Sequence, residues 1–316
     1  MMQTGSKELW DNKKFALLSA AATRFPEENM IRMERRGWSA GIITHNPEQC
    51  LKSLNSGVCS IIVVHDTPEV PASFLLRAQL VDPVGIISPT LVLVDPAHQS
   101  EVAVIKDLGQ PDLVNNPLNP AEFTDAFEWM LRRWQTGNLR NLIAARRVYI
   151  GKDFKKAAQM LTALRSEVDV QHLVTPCVAQ LLMKQGQYKQ VETYLLQALK
   201  AHPRNIGLIA NLSELYLRAA MPNTALKVLE AARKNHGNLR PLYPDQIQAH
   251  LMLGQIEAAI PLLEALVREN YRSRDAGDFL ARCLMTEGYA DRLAQTSAAL
   301  HINETEFKTA WNKLAS

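Results

Sequence analysis

The sequence predicts two architectures in succession: an α/β domain built on a parallel sheet over residues 13–135, then an all-α array of paired helices over residues 139–316. Three observations carry this. Short β-branched and aliphatic runs alternate with helical stretches in the first part. From residue 139 onward a similar segment recurs every 34 residues. Of the 316 residues 47% are hydrophobic, enough for sizeable cores, yet no apolar run approaches the ~18 residues that span a bilayer.

The expected strands are Phe15–Ser19, Ser39–Thr44, Ser60–His65, Thr90–Val94 and Leu113–Asn115. Between them helices open near Pro26, Pro47, Pro71 and Ser100, and a last one runs from Pro120 through Trp134. Proline suits a first helical turn, where its missing N–H leaves no bond unmade. Five βα units in about 120 residues is the size of a flavodoxin-like domain. The short Trp134–Asn138 segment is the expected hinge, too short for a flexible tether, so the helices it joins should pack in a fixed relation.

The periodic segments start at Lys152, Gly186, Ala220, Gly254 and Gly288. Two positions on stand Phe154, Tyr188, Pro222 and Ile256, marking entry into a second helix. Five positions on stand Ala157, Val191, Ala225, Ala259 and Leu293, mostly small, as a close helix crossing requires. A first helix precedes each turn, with apolar residues at helical spacing such as Leu212, Leu215 and Tyr216.

A helix–turn–helix unit of this length resembles the tetratricopeptide repeat (TPR), over about five units in a solenoid. Gly186, Tyr188, Ala198 and Pro203 make the second unit the best match, while Lys152 and Ala220 replace the turn glycine. Asn303–Leu314 is the expected capping helix. The resemblance implies a protein-binding concave face lined by first helices. It would present Arg146 and Tyr149, then Gln180, Met183 and Lys184, then Glu214 and Arg218, then Gln248 and Met252, and finally Arg282. The lysine and asparagine clamp that grips chaperone carboxylates in this family is absent.

Order and spacing make residues 13–135 similar to the receiver domain of response regulators, most specifically in Leu113–Phe123 with its Asn116-Pro117 step. The resemblance implies an acidic pair for Mg²⁺ after the first strand, a phosphoacceptor aspartate after the third, a hydroxyl after the fourth and a lysine after the fifth. Here Ser19 and Ala20, followed by Ala21 and Ala22, occupy the acidic positions. Val94 or Asp95 stands for the hydroxyl, and Asn116 for the lysine. Asp66, after His65, is the candidate phosphoacceptor, although as a residue it reads first as a loop or helix-cap aspartate. Without metal and lysine nothing would stabilise a phosphoryl group in transfer, which implies a degenerate pseudo-receiver.

Thirty-five basic and 32 acidic residues give a net charge of +3, which offers no general reason to expect nucleic acid. One local cluster, Arg132, Arg133, Arg140, Arg146, Arg147, Lys152, Lys155 and Lys156, spans the junction. The four scattered cysteines have no metal or redox spacing and are expected as small buried residues. No phosphate loop, nucleophile elbow or zinc-protease motif occurs.

The expected function is therefore a non-enzymatic cytoplasmic adaptor without cofactor or metal, resembling bacterial signalling proteins. The repeats would bind one protein and the pseudo-receiver another, and the receiver-like face is a candidate homodimer contact. The alternative is a response regulator phosphorylated on Asp66.

Overall fold

A computed structural model of the chain describes residues 10, 12–20, 25–67, 70–96, 102–108, 111–115, 120–236 and 239–268. It divides into two compact units, Met1–Leu215 and Tyr216–Ser316.

The first unit opens with five strands: β1 (Lys14–Leu18), β2 (Ser39–Thr44), β3 (Ile61–His65), β4 (Thr90–Val94) and β5 (Asp112–Asn115). All pairings are parallel, in the order β2-β1-β3-β4-β5, which is the flavodoxin-like order. Residues of β1, β3 and β4 are buried on both faces: Phe15, Leu17, Ile61, Val63, Leu91 and Leu93 on one, Ala16, Leu18, Ile62, Val64, Val92 and Val94 on the other. Continuous apolar runs of this kind need a layer on each side.

That cover comes from α1 (Glu27–Arg35), α2 (Pro47–Asn55), α3 (Ala72–Gln79), α4 (Pro83–Ile86), α5 (Val102–Asp107) and α6 (Pro120–Trp134). Pro47 begins α2 behind an Asn46 cap whose side chain accepts from Glu48 N at 2.8 Å. The four-residue α4 was not expected from the sequence. Asp82 caps it, accepting from Gly85 N at 2.6 Å, and all four of its residues are buried.

The helical hairpins follow: α7 (Gly137–Ile150) with α8 (Phe154–Ala163), α9 (Gln171–Lys184) with α10 (Tyr188–Ala201), α11 (Ile206–Arg218) leading to α12 (Pro222–His236), and α13 (Tyr243–Met252) with α14 (Ile256–Arg268). The second helices begin at 154, 188, 222 and 256, in the 34-residue register. Ala157, Val191, Ala225 and Ala259 are completely buried, as residues at a close crossing must be. The fifth copy from Gly288, the capping helix and Cys283 lie outside the described residues.

One backbone device makes the four turns equivalent. At 152, 186, 220 and 254 φ is +67°, +73°, +56° and +70°. The next N–H returns to the carbonyl five residues back: Asp153 to Val148, Gln187 to Leu182, Met221 to Tyr216 and Gln255 to His250. This is the Schellman ending of a helix, which favours glycine at the left-handed position. Gly186 and Gly254 satisfy it; Lys152 and Ala220 adopt it against a side-chain clash. Gly151 stands one place too early to help, at φ −69°. We expect Lys152→Gly and Ala220→Gly each to stabilise the protein by about 0.5–1 kcal/mol, the relieved clash outweighing the extra freedom of glycine in the unfolded chain. Urea midpoints measure this, and a loss of stability at both sites would refute it.

The sheet and the first two hairpins share a core. One apolar cluster joins Phe15, Leu17, Phe123, Phe127 and Trp134 to Leu142, Ile143, Leu173, Cys177 and Leu181. Burial of Asp112 at the start of β5 pushes its carboxyl up to about 6, although Arg133 Nη2 donates to Oδ2 at 3.1 Å and draws it down. Its folded pKa thus exceeds the unfolded value near 3.8. The contribution to stability is full below about pH 4 and is lost as pH rises through about 6. Between pH 4 and 7 wild type should lose up to about 3 kcal/mol relative to Asp112→Asn. Parallel stability–pH curves for the two proteins would contradict this.

Candidate functional site

In a doubly wound parallel sheet, ligands bind beyond the carboxyl ends of the strands where the strand order reverses, here between β1 and β3. Among the described residues, side chains meet one another at that position. Ser19 Oγ lies 3.2 Å from His65 Nδ1, and the buried His65 ring meets Phe25 edge-on at 6.0 Å. Phe25 in turn meets Phe123 at 5.6 Å. Burial pushes the His65 pKa down, against the nearby carboxylates of Asp66 and Asp95.

Asp66 has no exposed surface. Its Oδ1 accepts from Ala72 N at 2.8 Å, at the start of α3, and its Oδ2 from Asp95 N at 3.2 Å, after β4. The carboxylate therefore ties three elements together and supplies α3 with the cap that Pro71 does not. A phosphoacceptor must present an oxygen to solvent and metal; both oxygens here face backbone donors. Asn116 lies outside the described residues. Among the described residues no group of three or more His, Cys, Asp or Glu side chains could hold a metal ion.

Residues placed on the concave face divide by register. The column 146, 180, 214, 248 turns inward at its start. Arg146 is 2% exposed, and its Nη2 donates to the carbonyls of Cys59 at 2.7 Å and Leu54 at 3.5 Å. Gln180 is wholly buried, with Nε2 donating to Asn211 Oδ1 at 3.0 Å; Asn211 Nδ2 donates to Gly207 O at 2.9 Å. Met183 is also buried, Glu214 is half-buried and Gln248 is exposed. Arg146, Gln180 and Met183 are thus fold residues, which corrects their expected place on a solvent groove.

Arg146 is held by the α/β layer and Gln180 by α11. In the first two hairpins the first-helix face packs on α4 and its neighbours: the Cys177 thiol donates to Pro83 O at 3.4 Å, and Leu173 lines a small cavity with Leu76, Leu80 and Ile86. Lys184, Arg218 and Met252, in the next column, remain exposed. Tyr149 is half-buried and comes together with Lys184, whose Nζ donates to its hydroxyl at 3.1 Å. Arg282 lies outside the described residues.

Residues 182–243 match the family model of the tetratricopeptide repeat. The match runs from the last turn of α9 into α13 and contains α10, α11 and α12. Comparison with curated proteins and with solved structures gave no match. Within the tetratricopeptide segment lie two of the four left-handed turns, Gly186 and Ala220, and the groove-register residues Met183, Lys184, Glu214 and Arg218.

The junction cluster does not form one basic surface. Arg133 pairs with Asp112, Arg146 is buried, Lys152 sits on the α7–α8 turn, and Lys155 and Lys156 are in the first turn of α8. Burial pushes the Cys50 thiol up to about 12 and raises those of Cys59 and Cys177, so none of the three is an activated nucleophile. Among the described residues no helix is long and apolar enough to cross a membrane.

Proposed function

We propose that the chain is a non-catalytic adaptor, in which hairpins beyond the tetratricopeptide segment belong to the same repeat array and hold a partner protein, while the α/β domain is a pseudo-receiver. The observation that carries this reading is the tetratricopeptide match over residues 182–243, because such repeats are interaction modules whose first-helix residues contact ligand. The pseudo-receiver part is supported by the flavodoxin-like strand order together with Ser19 and Ala20 in place of an acidic pair. It is also supported by the engagement of both Asp66 oxygens with backbone N–H groups.

The reading is tested by intact mass of the purified chain after incubation with acetyl phosphate and Mg²⁺, beside Asp66→Asn. No phosphoprotein is expected from either. An adduct on wild type that Asp66→Asn abolishes would favour the alternative, a response regulator with a repeat output.

A further inference from the structure

The first helices of the first two hairpins are occupied by the α/β layer, so an adaptor must offer a partner some other face there. One is present. Between α8 and the turn after α9 lies an open groove of about 490 Å³, lined by Phe154, Lys155, Ala158, Gln159, Thr162 and Gln185. Phe154 is 50% exposed, large for an aromatic that opens a helix. Its ring is held edge-on to Tyr149 at 4.9 Å, and Tyr149 in turn bonds Lys184.

The charge around the groove is predominantly basic. Residues 152–162 and 184–191 carry Lys152, Lys155, Lys156, Lys184 and Lys189, all exposed, against the single carboxylate of Asp153. Asp153 Oδ1 already accepts from Lys156 N at 3.1 Å as the α8 cap. In a chain with 35 basic and 32 acidic residues this is a local excess.

We propose that this groove docks an acidic peptide segment of a partner protein, with an aromatic or aliphatic side chain of the segment against Phe154 and Ala158 and its carboxylates on the surrounding lysines. The proposal rests on the adaptor reading and gives the partner its chemistry. Charge complementarity selects the occupant and speeds its encounter, while the apolar floor supplies contact area. A single-stranded nucleic acid would call for successive aromatic platforms along a track; here Phe154 is the one aromatic among the residues that line a pocket sized for a few side chains.

The test is fluorescence anisotropy of the full chain with a fluorescein-labelled peptide of about ten Asp and Glu residues around one Phe, with oligothymidylate as competitor. Binding should weaken about tenfold in Lys155→Glu/Lys184→Glu and about fivefold in Phe154→Ser, and by less than about twofold in Lys227→Glu, a charge control on α12. Replacing the peptide's Phe by Gly should weaken binding similarly. Both lysines are exposed and the reversal gives up only the surface bond of Lys184 to Tyr149, so the variant should stay folded with its thermal melt lowered by a few degrees at most. Absence of binding, equal loss in Lys227→Glu, undiminished binding by the groove variants, or tighter binding of oligothymidylate would each overturn the proposal. The adaptor reading falls on a different readout, the acetyl phosphate adduct, so either can fail alone.

Discussion

Arg146→Ala is expected to destabilise the Met1–Leu215 unit by about 3–4 kcal/mol. The guanidinium comes from α7 and reaches the carbonyls of Cys59 and Leu54 in the α/β layer. Truncation leaves those carbonyls without the charged donor and opens space at one of the largest fully buried side chains. Arg146→Met should cost less, since methionine refills most of the volume without restoring the bonds. Arg146→Lys should fall between, because a single ammonium cannot reproduce the fork of the guanidinium. Urea unfolding followed by tryptophan fluorescence orders the three. A loss below about 1 kcal/mol for the alanine variant would mean that apolar packing, not Arg146, fixes α7 to the sheet.

Asp66→Ala is expected to cost about 2–3 kcal/mol, and Asp66→Asn about half as much. Alanine removes both acceptors, leaving Ala72 N–H at the start of α3 and Asp95 N–H after β4 without the carboxylate they share. Asparagine keeps one carbonyl oxygen, but its amide group cannot accept from the second N–H. Amide exchange at Ala72 and Asp95 reports the change locally: both should lose protection in the alanine variant and one in asparagine. Unchanged exchange at both would remove the capping role.

The strands were legible because each is a short run carrying β-branched or other large apolar residues, and a parallel sheet buried on both faces needs little else. Thr90–Val94 and Ser39–Thr44 have the expected bounds. The hairpins were legible because their period is repeated, and Phe154, Tyr188, Pro222 and Ile256 each open a helix as expected. The helix α4 was not, since four residues containing a proline and a glycine hold too little pattern to show a period. Its position decides much of the site. The tetratricopeptide resemblance placed Arg146 and Gln180 on an open binding face, but neither it nor periodicity can say what lies against that face, and both side chains are buried. A signal was present in the company they keep: Pro176, Ala179 and Met183 lie opposite the stripe of Leu173, Val174, Cys177, Val178 and Leu181 and make α9 apolar nearly all round, which marks a helix covered on more than one side. The basic groove was half legible, its lysines visible in sequence and its apolar floor only in three dimensions.

The seat of α4 under α9 also bears on how such a chain can change in length through duplication. Where each hairpin touches only its neighbours, copies can be gained or lost anywhere along the row. Here α7 and α9 complete the core of the sheet, and Leu80 lies within 3.4 Å of where a side chain at Gly207 would begin. Losing the first hairpin would remove Arg146 from its carbonyls, and losing the second would remove Leu173 and Cys177 from the apolar cluster. The first two hairpins are thus bound to the sheet as one piece and lack the interchangeability of repeats that touch only their neighbours.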